Sequence, residues 1–188
     1  MRRLKFLCVF IVVLLNLFHI SFAEENIDAK QTELKQKETI NLLEKLKVIE
    51  TADASNLSQL ITRGEFVGLF GKILGVDEIS STDNPSFSDI DSAYTYYTVA
   101  ETLRAMGVIL PDENKNFNPD REIEYNEAVK IVVGILGYGY KANAKGGYPN
   151  GYLSVSASLG LNKNISSFQK LTIGDAYILV ANALDTDV

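Results

Sequence analysis

Apolar residues recur at helical spacing in six stretches of the chain, and the six fall into pairs. ITRGEFVGLFGKILG (61–75), IEYNEAVKIVVGILG (123–137) and LTIGDAYILVANALD (171–185) align with one another. Each places an apolar residue before a cap position, an acid three residues after the cap (Glu65, Glu127, Asp175) and an apolar stripe behind it. The spacing of Thr62 and Glu65 is that of the capping box, in which a hydroxyl and a carboxylate satisfy free amide groups at a helix start. Three helices of one design are predicted. Each follows a shorter helical pattern: TINLLEKLKVI (39–49), TVAETLRAMGVI (98–109) and YLSVSASLGL (152–161). The last two end at Gly107 and Gly160, suited to a left-handed helix stop, whereas Lys47 holds that place in the first.

The repeating unit is therefore a short helix, a polar loop and a capped longer helix, at residues 33–75, 87–137 and 147–185. A two-helix unit cannot bury both apolar faces alone, so the expected fold is all-α, with neighbouring units sharing a core. Periodicity leaves open whether three units stack as a short solenoid or close into a ring.

Residues 1–23 stand outside this pattern. A basic start (MRRLKF), an apolar run (LCVFIVVLLNLFHI) and a small-x-small ending (Ser21-Phe22-Ala23) are the three parts of a secretory signal peptide. Cleavage after Ala23 would remove Cys8 and His19, the only cysteine and the only histidine, and leave no stable membrane insertion. Thiol and imidazole catalysis, and zinc sites built on those ligands, are then excluded. Without Arg2, Arg3 and Lys5, the 18 basic residues fall to 15 against 24 acidic ones, a net charge of −9. That balance, with no basic stripe, disfavours nucleic acid as a partner. A charged lead-in occupies 24–32.

Other candidate chemistry is sparse. Asp112-Glu113-Asn114-Lys115-Asn116 alternates oxygen-bearing side chains, but the sixth residue of an EF-hand loop would be Phe117 rather than Gly, and the twelfth Ile123 rather than Glu. A polar turn is the better reading, and no metal or cofactor is expected. No carboxylate pair carries a recognisable hydrolase motif, so the chain is not expected to be an enzyme. Arg104, on the second short helix, is expected at the surface. Tyr148 lies in a Gly-Tyr-Pro-Asn-Gly-Tyr run that serves equally as a sugar platform or as a packed loop, with Tyr94, Tyr96 and Tyr97 at the matching place one repeat earlier.

Taken together, FSDI (87–90), a helix ending in GVI (107–109), the loop NFNPD (116–120) and the helix start ITRGE (61–65) resemble the S-layer homology (SLH) domain. The resemblance runs from about residue 33 to 185. It implies three repeats closing into a pseudo-threefold helical prism. It also implies a secreted, cell-surface module that anchors proteins non-covalently to an anionic, often pyruvylated, secondary cell-wall polysaccharide. In the family, the arginine of the ITRAE motif meets the acidic group of a sugar held between adjacent repeats, and here that arginine is Arg63 alone. This accounts for a cation in the first turn of a helix, where the dipole disfavours one: its planar fork suits a carboxylate. With Arg63, the candidate ligand set comprises Thr62, Glu65, Asp89, Tyr125, Glu127 and Tyr148. The second repeat has Glu124-Tyr125 at the motif and the third Thr172-Ile173, so both lack the arginine. Tyr125 could stack on a sugar, whereas Ile173 offers no polar contact. Gly64 replaces the family's usual alanine, at some cost to the helix. The loss of two arginines favours an alternative, a secreted protein-docking module with a vestigial glycan site, its partners being other surface proteins. Such triplets usually tether a passenger, which makes the N-terminal part of a longer protein a further expectation.

Overall fold

In the computed structural model the described residues are 30, 33–50, 56–76 and 85–186. The signal peptide and almost all of the lead-in read from the sequence lie outside them. The chain divides into two units, Met1–Lys37 and Glu38–Val188. In the first, residue 30 and residues 33–37 are helical. Everything below concerns the second.

Its helices are α1 (residues 38–45), α2 (Arg63–Leu74), α3 (Tyr97–Ala105), α4 (Tyr125–Ile135), α5 (Gly139–Ala144), α6 (Asn150–Leu159) and α7 (Ile173–Leu184). The described residues form no strand, only isolated bridges, and no helix among them is long and apolar enough to cross a membrane. The six expected helices are present. α5 was not read from the sequence, because its six residues bury only Ala142 and so leave no periodic stripe.

The three short helices end alike. Val48 N–H bonds to Leu43 O at 2.9 Å, Val108 N–H to Leu103 O at 2.9 Å and Leu161 N–H to Ser156 O at 3.0 Å, the long-span bond of a Schellman stop. The residue before each donor is left-handed: Gly107 and Gly160 at φ 73° and Lys47 at φ 57°. Lys47 thus adopts the glycine conformation at a cost of about 1 kcal/mol.

The three long helices begin from extended caps that pair in a cycle. Ile61 N–H bonds to Leu171 O (3.1 Å), Leu171 N–H to Ile123 O (3.3 Å) and Ile123 N–H to Ile61 O (3.1 Å), a closed ring of three hydrogen bonds. Leu60 bridges to Thr172, Thr62 to Glu122 and Glu124 to Lys170. Segments one and three therefore touch directly. The ring residues are at most 2% exposed and sit inside one core cluster drawn from all three repeats. Around it, α2 packs on α3, and α4 on α6, so a long helix meets the short helix of the next repeat.

The tetrapeptide FSDI and the loop NFNPD are tied together. The Phe87 and Phe117 rings lie 5.3 Å apart, and the Asp89 carboxylate accepts from Phe117 N–H and Asn118 N–H, both at 2.7 Å. Asp112 accepts from Asn114 N–H and Asn116 N–H at 2.8 Å and from Asn118 Nδ2 at 2.9 Å, as a turn-forming aspartate does. Those bonds hold its carboxyl below the usual range, the Asn118 amide first. Arg104 departs from the surface position expected of it: it is half-buried, and its Nε is buried without a hydrogen-bond partner among the described residues.

Gly64 has a structural reason. A Cβ there would lie 1.9 Å from the Tyr94 hydroxyl and 3.2 Å from Pro119 O, so alanine at 64 must displace the tyrosine. Overpacking of this kind costs about 1–3 kcal/mol, against about 1 kcal/mol gained in helix propensity. Gly64→Ala is therefore expected to lose about 1 kcal/mol in urea unfolding, and less in a Tyr94→Phe background. A raised unfolding midpoint for Gly64→Ala would refute this account.

Candidate functional site

Arg63 opens α2, but its side chain belongs to the second repeat. Its Nε donates to Phe117 O at 2.9 Å, its guanidinium lies 5.0 Å from the centre of the Phe117 ring, and one terminal nitrogen pairs with Glu127. The residue is 6% exposed. Burial lowers the guanidinium's pKa, and the Glu127 carboxylate works in the opposite direction. Glu127 also meets Arg121, whose Nη2 donates to both carboxylate oxygens at 2.9 Å. One carboxylate thus binds two arginines from different repeats. Arg63 is the inner, buried one; Arg121, with its side chain 44% exposed, is the outer one.

A turn further along α4, Lys130 Nζ lies 5.6 Å from the centre of the Tyr148 ring, which is itself edge-on to Tyr152 at 6.4 Å. Tyr148 is 51% exposed. Burial raises its phenol pKa, and the neighbouring Glu127 and Glu124 charges add to the shift. Arg63, Arg121 and Lys130 are therefore gathered with Glu124 and Glu127 beside an exposed aromatic ring. Such a site can take an anionic, ring-shaped ligand, with cations for its charge and Tyr148 for an apolar face.

The predicted residues do not all join this cluster. Arg63, Glu127 and Tyr148 do. Asp89 is spent on the Phe117 loop, though its charge still reaches Arg63. Tyr125 is buried, 4% exposed with Phe168 edge-on at 5.0 Å, so its ring has no free face for a sugar. Thr62 is the N-cap of α2, and Glu65 completes the capping box by accepting from Thr62 N–H at 2.9 Å. Sequence reasoning missed Arg121, Lys130 and Phe117. Locally Arg121 looks like any solvated loop arginine, although it stands within its own repeat 6 residues before Glu127; the pairing of the caps brings Arg63 to the same carboxylate.

Residues 86–129 match the S-layer homology domain family, over the span that holds Asp89, Phe117, Arg121 and Glu127. The chain is similar to the middle cell wall protein of Brevibacillus brevis, 26% identical over 136 residues, which cover 70% of this chain and 13% of the relative. It is also similar to the surface layer protein of Brevibacillus choshinensis, 24% identical over 149 residues, 77% of this chain and 13% of the relative. The chain thus spans only a small part of the length of these curated relatives.

Proposed function

We propose that the chain is a non-catalytic, secreted cell-wall anchoring module whose three repeats close as a pseudo-threefold SLH prism. Its ligand is an anionic, pyruvylated secondary cell-wall polysaccharide, held non-covalently at the cluster of Arg63, Arg121 and Glu127 beside Tyr148. The observation that carries this reading is the gathering of Arg63, Arg121 and Lys130 beside exposed Tyr148 in a chain whose net charge is −6. Long-range repulsion between an acidic protein and an acidic polymer is screened beyond about 10 Å, so the local cations decide the contact. The ring of backbone bonds through Ile61, Leu171 and Ile123 supports closure.

One observation favours the second reading, a docking module for other surface proteins. Arg63 is already paired and covered, as a purely structural arginine would be. Co-sedimentation with deproteinised cell walls, before and after acid extraction of the secondary polymer, separates the two. The anchor should pellet only with polymer-bearing walls. Arg121→Ala and Lys130→Ala, which leave the buried Arg63–Glu127 pair in place, should each weaken binding about tenfold. A protein that stays in solution with every wall preparation would leave the docking reading standing.

A further inference from the structure

Charge is unevenly placed along the chain. Residues 38–127 carry 17 acids against seven bases, a net charge of −10, whereas residues 128–174 carry five lysines and no acid. Two of those lysines are engaged within the molecule: Lys170 pairs with Glu122, and Lys130 lies over Tyr148 at the cluster already described. Lys141 and Lys145 are exposed on α5, the helix outside the six-helix repeat pattern, which buries only Ala142. Between them in the fold stands Tyr140 of the same helix, 88% exposed.

The second repeat presents the opposite character. Its loop at 110–120 carries Glu113 and Asp120 exposed, with Lys115 as the loop's one cation. The chain enters that loop past Met106 and Leu110, which are 51% and 56% exposed. Asp112 ties the turn through Asn114 N–H, Asn116 N–H and the Asn118 amide, so the exposed carboxylates ride on a defined backbone.

A face of lysines around an open tyrosine and a loop of carboxylates beside an open leucine are complementary in charge and in apolar area. Opposed charges give a protein interface its register, and an aromatic side chain gives it an anchor. An anionic polymer would satisfy the lysines alone and leave Leu110 and Glu113 without a role. Both surfaces belong to this chain, so the partner that fits both is a second copy of it. We infer that two copies associate through them, α5 of one copy meeting the 110–120 loop of the other. The net charge of −6 opposes this at long range, but screening beyond about 10 Å leaves the short contacts to decide. The contact is of the small, transient class, with a Kd of about 0.1 mM.

Sedimentation velocity of the purified protein over a concentration series around its expected Kd tests this. In about 0.1 M salt the sedimentation coefficient should rise with concentration, and in about 1 M salt, where the Debye length is about 3 Å, only monomer should remain. Lys141→Glu with Lys145→Glu should weaken association about tenfold, and so should Glu113→Lys with Asp120→Lys, because each sets like charges against one another. All four side chains are exposed, so melting temperatures equal to wild type serve as the control on folding. An equimolar mixture of the two double variants should recover the association, since each reversed surface then meets a reversed complement. A protein that is monomeric at every concentration, an association indifferent to salt or to either double variant, or a mixture that does not recover would each overturn the inference. So would a lysine variant that loses wall binding while the wild type stays monomeric, which would give α5 to the polymer instead.

Discussion

Replacing Glu127 with glutamine is expected to lower the unfolding free energy by about 3 kcal/mol, because it leaves the Arg63 guanidinium charged and buried without its carboxylate. Its side chain is only 7% exposed, so water cannot substitute for Glu127. Phe117 O and the Phe117 ring remain as partners, and the Glu127 side chain is 19% exposed, which holds the loss to the lower end for a broken buried pair. For a chain of this size the melting temperature should fall by about 6–12 °C. Removing the other partner should cost less. Arg63→Met keeps much of the volume and leaves Glu127 with Arg121, whose partly exposed bidentate contact tolerates the change, so a loss of about 1 kcal/mol is expected. Arg63→Met with Glu127→Gln should be more stable than Glu127→Gln alone, since the stranded charge is gone. Equal melting temperatures for wild type and Glu127→Gln would mean that the pair contributes nothing to the fold.

That ordering bears on how Arg63 can act in binding. A wall-binding defect in an Arg63 variant would mix lost contact with repositioning of Glu127 and, through it, Arg121. The outer cations separate the two effects, because Arg121 and Lys130 reach solvent without supporting the core.

The long helices, their caps and their shared design were legible because each rests on local rules: an apolar stripe, a cap and an acid at fixed spacing. The fate of the three acids was not. Glu65 closes its capping box, but Glu127 is drawn to two arginines, and Asp175, fully buried, accepts from Ser166 N–H at 2.9 Å and from its hydroxyl at 2.8 Å. A helix cap is worth about 1 kcal/mol, and a charge-assisted bond in a buried setting outweighs it. Arg63 reaches Glu127 from 64 residues away, whereas Arg121 and the Ser166 partner of Asp175 lie in the loops just before the helices, 6 and 9 residues from their acids, so spacing within one helix does not encode these partners. Tyr125 shows the same limit: at the arginine position of the motif it reads as a sugar platform, yet Phe168 from the third repeat covers it.

Gly151→Ala is expected to be as damaging as Glu127→Gln, for a reason invisible in the sequence. Gly151 lies in the first turn of α6, where α5 crosses it, and a Cβ there would sit 2.0 Å from Ala142 O and 3.0 Å from the Ala142 carbonyl carbon. Both atoms are backbone, and Ala142 is fully buried, so no side chain can swing aside. The cost should reach about 3 kcal/mol, the upper end for overpacking, because relief requires α5 to move bodily from α6. Moving α5 also disturbs the Gly146–Tyr148 turn, which Gly147 N–H anchors to Ala142 O at 3.0 Å. Tyr148 would then leave its place over Lys130. A fall of about 6–12 °C in melting temperature is expected, together with weaker wall binding at temperatures where the variant is still folded. Unchanged wall binding in a folded Gly151→Ala protein would show that Tyr148 is not part of the site, whereas an unchanged melting temperature would show that α5 yields without cost and that its crossing of α6 supports nothing.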